Sequence, residues 1–144
     1  MEQDEKFMRE ALAEAKLAME EDEIPIGAVV VSKGRIIGKG HNMVERLHDA
    51  TAHAEMIAIT AAGEALGGKY LQDCTLYVTV EPCPMCAAAL NWSQVSRIVY
   101  GAPDPRRGYS LYKPSLLHPR TEAAGGILAG ECGEILLNYF KKLR

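Results

Sequence analysis

The run Cys74-Thr-Leu-Tyr-Val-Thr-Val80 passes without a spacer into Glu81-Pro-Cys-Pro-Met-Cys86, and this junction limits the possible folds more than any other stretch. Thr, Tyr and Val favour the pleated, half-buried surface of a sheet. Pro82 has no N–H for a strand ladder, and Pro84 has the fixed φ that suits the first turn of a helix. The segment therefore predicts a buried strand that hands over directly to a helix running to about Ser93. Such a handover is the building unit of an α/β fold.

The remaining periodicities agree with that class. From Glu5 to about Glu21 the positions Met8, Ala11, Leu12, Ala15, Ala18 and Met19 recur three and four apart, as on an amphipathic helix that Pro25 ends. Gly27-Ala-Val-Val-Val-Ser reads as a strand paired with Arg35-Ile-Ile-Gly-Lys-Gly across a Lys33-Gly34 turn. A helix is expected over Ala52–Leu66, capped by Asp49 or Thr51 and stopped by Gly67-Gly68. Val95–Tyr100 reads as another strand, and 101–126 as polar, Gly/Pro-rich loop with room for a short helix or strand inside it. A last amphipathic helix is expected over Ala129–Lys142, with Ile135, Leu136, Tyr139 and Phe140 inward. At 144 residues, with no repeat or linker, the chain reads as one domain over 1–144, a three-layer α/β/α sandwich.

Composition excludes several classes. Apolar residues make up 48% and charged residues 24%, an ordinary balance for a folded domain rather than a disordered one. Apolar stretches such as Gly27–Val31 are far below the ~20 residues that cross a bilayer, and the acidic start lacks the features of a secretory signal, so no membrane association and a cytoplasmic location are expected. Cys74 and Cys132 have no matching partner spacing, which argues against a disulfide framework. Residues 97–144 carry eight Lys/Arg against four Asp/Glu, while residues 1–96 carry eight against fifteen. That polarity suits one face meeting a polyanion, and ordinary solvated charge explains it as readily.

Cys83 and Cys86 are three apart at a helix start, so both thiols share a face and the helix dipole favours their thiolates. His53 opens the preceding helix. Two thiolates and an imidazole are the ligands zinc prefers, and with no fourth protein ligand at suitable spacing a position is left for water, as in catalytic rather than structural sites. Glu55, two residues after His53, is placed to move protons rather than to bind metal. Either half of the pattern alone is weak. Together, His-x-Glu followed by Pro-Cys-x-x-Cys is the signature of zinc-dependent nucleobase deaminases. His41, His48 and His118 lack ligand spacing and are expected outside the site.

Over nearly its whole length the chain resembles the bacterial tRNA-specific adenosine deaminases, within the cytidine deaminase-like fold. The resemblance rests on Glu23-Ile-Pro-Ile-Gly-Ala-Val-Val-Val, His41-Asn42, Thr51-Ala-His-Ala-Glu-Met, Leu76-Tyr-Val-Thr-Val-Glu-Pro-Cys-Pro-Met-Cys, Arg97-Ile-Val-Tyr-Gly-Ala and Gly126-Ile-Leu. It implies a five-stranded mixed sheet, one Zn2+ per subunit with no organic cofactor, a homodimer, and hydrolysis of the wobble adenosine of a tRNA anticodon to inosine. By position it implies that Asn42 hydrogen-bonds the flipped base, that Ile24, Ala54 and Val80 line its pocket, and that Asp104 and Arg106 meet the anticodon stem-loop. The chain departs from the family at Gly108-Tyr-Ser-Leu-Tyr-Lys and His118-Pro-Arg-Thr, and it has no longer basic tail. RNA affinity is then expected from Arg97, Arg106, Arg107, Lys113 and Arg120.

Without the resemblance, Asn42 is equally well a turn residue. Glu81 is expected to present its carbonyl, or else to be surface charge. Tyr109, Tyr112, Tyr139 and Phe140 are candidates for stacking on unpaired bases, although Phe140 fits the core better. Two competing functions remain. One is the same chemistry on a free base, nucleoside or nucleotide such as guanine, cytosine or cytidine. The other is a structural-zinc module that only binds RNA.

Overall fold

The computed structural model describes residues 2–143. Its elements are α1 (Glu2–Glu20), β1 (Gly27–Ser32), β2 (Arg35–His41), α2 (Val44–Leu47), α3 (Ala54–Leu66), β3 (Cys74–Val80), α4 (Pro84–Ser93), β4 (Arg97–Ala102), β5 (Glu122–Ala124) and α5 (Ala129–Lys142). They form a five-stranded sheet in the order β2-β1-β3-β4-β5. β1 runs antiparallel to β2 and β3, and β3, β4 and β5 are mutually parallel, so the sheet is mixed as expected.

Strand alternation assigns the layers. Ala28 and Val30 of β1, with Leu76, Val78 and Ile98, face Ala54, Ala58 and Ala62 of α3 and Ala87 and Leu90 of α4. Val29 and Val31, with Tyr77 and Val99, face Phe7, Met8, Ala11 and Leu12 of α1 and Cys132 and Ile135 of α5. The residue-by-residue alternation of faces along one strand thus builds two cores from one sheet. The α3 face is made of alanines because β2 lies directly on it. A Cβ at Gly40 would stand 2.5 Å from the Ala54 carbonyl oxygen and 2.6 Å from the Ala58 nitrogen. Lys33 (φ 52°) and Gly34 (φ 76°) make the β1–β2 turn with both residues left-handed, matching the twist of a hairpin.

Several expectations need correction. α1 begins by Glu2 rather than Glu5, and α3 at Ala54 rather than Ala52. β4 starts at Arg97, because Val95 and Ser96 are spent on the turn out of α4, where Val95 N–H bonds the Leu90 carbonyl. In the 101–126 loop the short helix and strand that were allowed for are a 3-10 turn at Tyr109–Leu111 and β5, so that expectation stands. Phe140 is 45% exposed and not core; the buried positions of α5 are Cys132 and Ile135. Arg97, half-buried, is committed to an ion pair within the fold rather than free for RNA. Its guanidinium donates to both oxygens of buried Asp4 at 2.9 and 2.8 Å, and Tyr77 Oη donates to the same carboxylate at 2.7 Å, tying α1 to β3 and β4. Among the described residues no helix is long and apolar enough to cross a membrane.

Candidate active site and metal centre

His53 and Cys83 occupy equivalent places, each the N-cap of its helix with extended backbone, at φ −76° and ψ 157° for His53 and φ −72° and ψ 168° for Cys83. Extended backbone at that position turns the side chain away from the helix axis and toward the neighbouring helix start. Glu55 lies in the first turn of α3 and Cys86 in the first turn of α4. β3 and β4 deliver the chain to this end of the sheet, the carboxyl edge where α/β proteins place their ligands. The expected cap of α3 is replaced. Asp49 Oδ1 accepts from Thr51 N and Oγ1 in an exposed turn, while the Ala54 N–H donates to Asn42 Oδ1 at 2.8 Å.

His53 Nδ1 lies 3.7 Å from Cys83 Sγ and 3.6 Å from Cys86 Sγ, and the three ligand atoms all fall within 4.8 Å of one another. One ring nitrogen cannot make full hydrogen bonds to two sulfurs at once. A tetrahedral zinc with bonds of about 2.3 Å to sulfur and 2.0 Å to nitrogen would hold N and S about 3.5 Å apart. The side chains present therefore fit zinc in both chemistry and spacing. Among the described residues no other His, Cys, Asp or Glu joins the cluster, so the protein supplies three ligands.

The electrostatics agree. The neighbouring Cys86 thiol holds the Cys83 thiol down to about 4, and contact with Cys83 together with burial pushes Cys86 up; both shifts describe two sulfurs sharing one proton until a cation replaces it. Burial pushes the Glu55 carboxyl up to about 7. A divalent cation beside it opposes that shift. A group balanced between these influences can both take and return a proton near neutral pH.

A cavity of about 880 Å3 opens over these groups. Ile24, Asn42, His53, Glu55, Val80, Cys83 and Asp104 all line it, as do Arg107 and, from the C-terminal end of the chain, Leu136, Tyr139, Phe140 and Leu143. Cys86 is fully buried behind Cys83. Ala54 and Arg106 are off the cavity wall, which Arg107 lines. Asp104 does not point its carboxylate freely at the cavity, since Oδ1 accepts the N–H groups of Arg106 and Arg107 at 3.0 Å each. His41 bridges Glu14 and Glu21 at 3.1 Å on each ring nitrogen, away from the metal residues.

The pattern of the cytidine and deoxycytidylate deaminase zinc-binding region matches residues 1–102. The chain belongs to that family. A tRNA-specific adenosine deaminase of Bacillus subtilis (strain 168) is 46% identical to this deaminase, the alignment covering 100% of this chain and 92% of the relative. A solved structure from a study of A-to-I editing by tRNA:A34 deaminases at the wobble position of transfer RNA is similar with TM-score 0.86 and 44% identity, covering 91% of this chain and 99% of that one. A guanine deaminase structure from Bacillus subtilis matches with TM-score 0.66 and 42% identity, over 69% of this chain and 64% of that one. The chemistry of the deaminase is zinc-dependent hydrolytic deamination, with a His/Cys/Cys site for one zinc ion per chain.

Two carboxylates of the deaminase escaped the sequence reading. Glu23, 2% exposed, accepts from Glu45 N at 3.1 Å and Arg46 N at 2.8 Å, and so caps α2 from a distant segment. Glu81, 5% exposed, spends its side chain on the loop after β4. A buried carboxylate paired only with backbone N–H groups leaves no spacing signature. The one available hint was the placement of Glu81 at the end of an otherwise apolar strand.

Proposed function

We propose that this deaminase converts the wobble adenosine of a tRNA anticodon to inosine, working as a homodimer in the cytoplasm without an organic cofactor. Support comes first from the cavity. At about 880 Å3 it is lined by the metal residues and also by Tyr139 and Phe140 of α5 and by Leu143 just after it, more space than one base fills, which leaves room for nucleotides flanking the target. The net-positive last third of the chain and the tRNA-specific relatives point the same way. A stacked base cannot reach the metal residues, and an anticodon loop costs less to open than a duplex.

The proposed division of labour follows from the geometry. Because Asn42 Oδ1 is committed to the Ala54 N–H, its amide is oriented with Nδ2 left as a donor into the cavity, suited to an acceptor atom of the base. Ile24 and Val80 flank the base plane with apolar surface. Zinc held by His53, Cys83 and Cys86 would supply Lewis acidity, making water a nucleophile at neutral pH. Glu55 takes a proton from the water that attacks C6 and passes it to the ring nitrogen, then carries the remaining hydroxyl proton to the amino group as the C6–N bond breaks, so that water and adenine become ammonia and hypoxanthine. Asp104 shapes the loop that brings Arg107 to the rim, where phosphate would meet it, with Arg106 beside it outside the wall. For the homodimer, Met85, Ala88, Ala89 and Trp92 present one apolar face of α4, with Trp92 83% exposed. Four free cysteines suit a reducing compartment.

The test is a direct competition. Zinc-loaded protein is given an anticodon stem-loop carrying the wobble adenosine, and separately free guanine, cytosine, cytidine and adenosine, with ammonia release followed in each. A kcat/KM on the stem-loop at least 100-fold above every free compound is expected. Faster release from free guanine would replace the RNA substrate with the base on which the guanine deaminase neighbour acts.

A further inference from the structure

Glu81 directly follows β3, two residues before the metal residue Cys83, yet its carboxylate turns away toward the segment that follows β4. Oε1 accepts the Asp104 N–H at 3.1 Å, and Oε2 accepts the Ser110 N–H at 3.1 Å and the Ser110 Oγ–H at 2.6 Å. No Lys or Arg pairs with it among the described residues, so its charge is held by these donors alone. Such burial is costly unless each oxygen is satisfied, and here each is.

The loop is built around that carboxylate. A Cβ at Gly108 would fall on Glu81 Oε2 and Cδ and come within 2.6 Å of the Asp104 carbonyl oxygen, so only glycine leaves room. Gly108 N–H closes onto the Asp104 carbonyl at 2.9 Å, and Tyr109 N–H bonds the Pro82 carbonyl at 2.9 Å. Asp104 in turn holds the amides of Arg106 and Arg107. The path is continuous: Glu81 fixes Asp104 and Ser110, Asp104 fixes Arg107, and Asp104 and Arg107 form one side of the cavity over the metal residues.

We infer that Glu81 is a positioning residue for substrate binding, clamping the 103–110 loop so that Asp104 and Arg107 stand ready at the cavity rim. It touches neither the cluster of metal ligands nor Glu55 through any hydrogen bond of its side chain among the described residues. Its removal therefore acts on capture of substrate rather than on the chemical step. An amide in its place fails for a simple reason. Whichever way Gln is turned, its NH2 group meets a backbone N–H, at Asp104 or at Ser110, and one donor loses its acceptor.

The experiment compares Glu81→Gln, Ser110→Ala and Gly108→Ala with wild type. Ser110→Ala removes one donor without burying an unpaired group, so it remains informative if Glu81→Gln does not fold. Hydrogen exchange of the peptide covering 103–112 is read alongside zinc content and steady-state kinetics. The kinetic arm uses whichever compound wild type turns over best, the anticodon stem-loop or a free base. Failure of the tRNA reading then shows in the wild-type preference and leaves Glu81 still tested. Expected are faster exchange at Asp104 and Ser110, zinc at one per chain, a KM raised about tenfold in Glu81→Gln and less in Ser110→Ala, and a kcat within about threefold of wild type. Unchanged exchange with unchanged KM would overturn the inference. Loss of zinc or a fall in kcat with KM unchanged would also overturn it, placing Glu81 in support of Cys83 instead.

Discussion

Asn42 does two jobs with one carboxamide, and the two are separable. Its oxygen satisfies the first free N–H of α3 and thereby holds His53 and Glu55 at the helix start, while on the proposed function its nitrogen meets the base. Asn42→Asp keeps the acceptor and loses the donor. We expect kcat/KM to fall 10- to 100-fold with the melting temperature within about two degrees of wild type. Asn42→Ala loses both, and a helix cap is worth about 1 kcal/mol, so denaturant unfolding should show that further loss. Equal destabilisation in the two variants would contradict the capping role. At the metal ligands the expected outcome is different in kind. Cys83→Ala should lower zinc content well below one per chain and lower the melting temperature with it, because binding energy of the ion is also folding energy. Metal analysis after gel filtration checks this.

The elements themselves were legible where a periodic pattern or a proline dictated the backbone. Gly27–Ser32, Cys74–Val80 and Pro84–Ser93 lie where apolar runs and Pro84 placed them. The start of α3 was not legible. Asp49 and Thr51 have the residue types of a cap, but the oxygen that caps comes from Asn42, on the far side of a turn. Phe140 was misplaced because a helical stripe shows which residues share a face and not what that face meets; toward its C-terminal end, α5 meets the cavity. His53, Glu55, Cys83 and Cys86 could be read because metal chemistry restricts residue type and spacing together, whereas Glu23 and Glu81 act on backbone groups that every residue offers. β2 against α3 carries a prediction at this scale. Gly40→Ala forces a Cβ into α3 backbone that cannot yield, so a loss of about 1–3 kcal/mol is expected in urea unfolding. A neutral Gly40→Ala would mean that β2 and α3 are farther apart than described here.

Across the whole molecule, the Asp4–Arg97–Tyr77 cluster joins the first helix to the centre of the sheet. The Arg97 guanidinium, assisted by Tyr77 and opposed by burial, holds the Asp4 carboxyl down to about 2. The unfolded chain titrates this group near 3.9, so it takes up the proton first as the medium is acidified. The stabilisation, of the order of 2 kcal/mol, is complete above about pH 5 and is lost as pH falls through about 2. Asp4→Asn should remove it at neutral pH and flatten the dependence of stability on pH below about 4. Unfolding midpoints measured between pH 2 and 7 read both effects. The cluster holds the scaffold, and the scaffold brings two helix starts together at one edge of the sheet. Whether that edge deaminates RNA is tested most directly by inosine sequencing of a tRNA pool incubated with zinc-loaded wild type and with Glu55→Ala. The expected result is inosine at a wobble position with wild type, and a loss of at least 100-fold in Glu55→Ala at unchanged zinc content and folding. Equal inosine from both proteins, or none from wild type, would contradict the account.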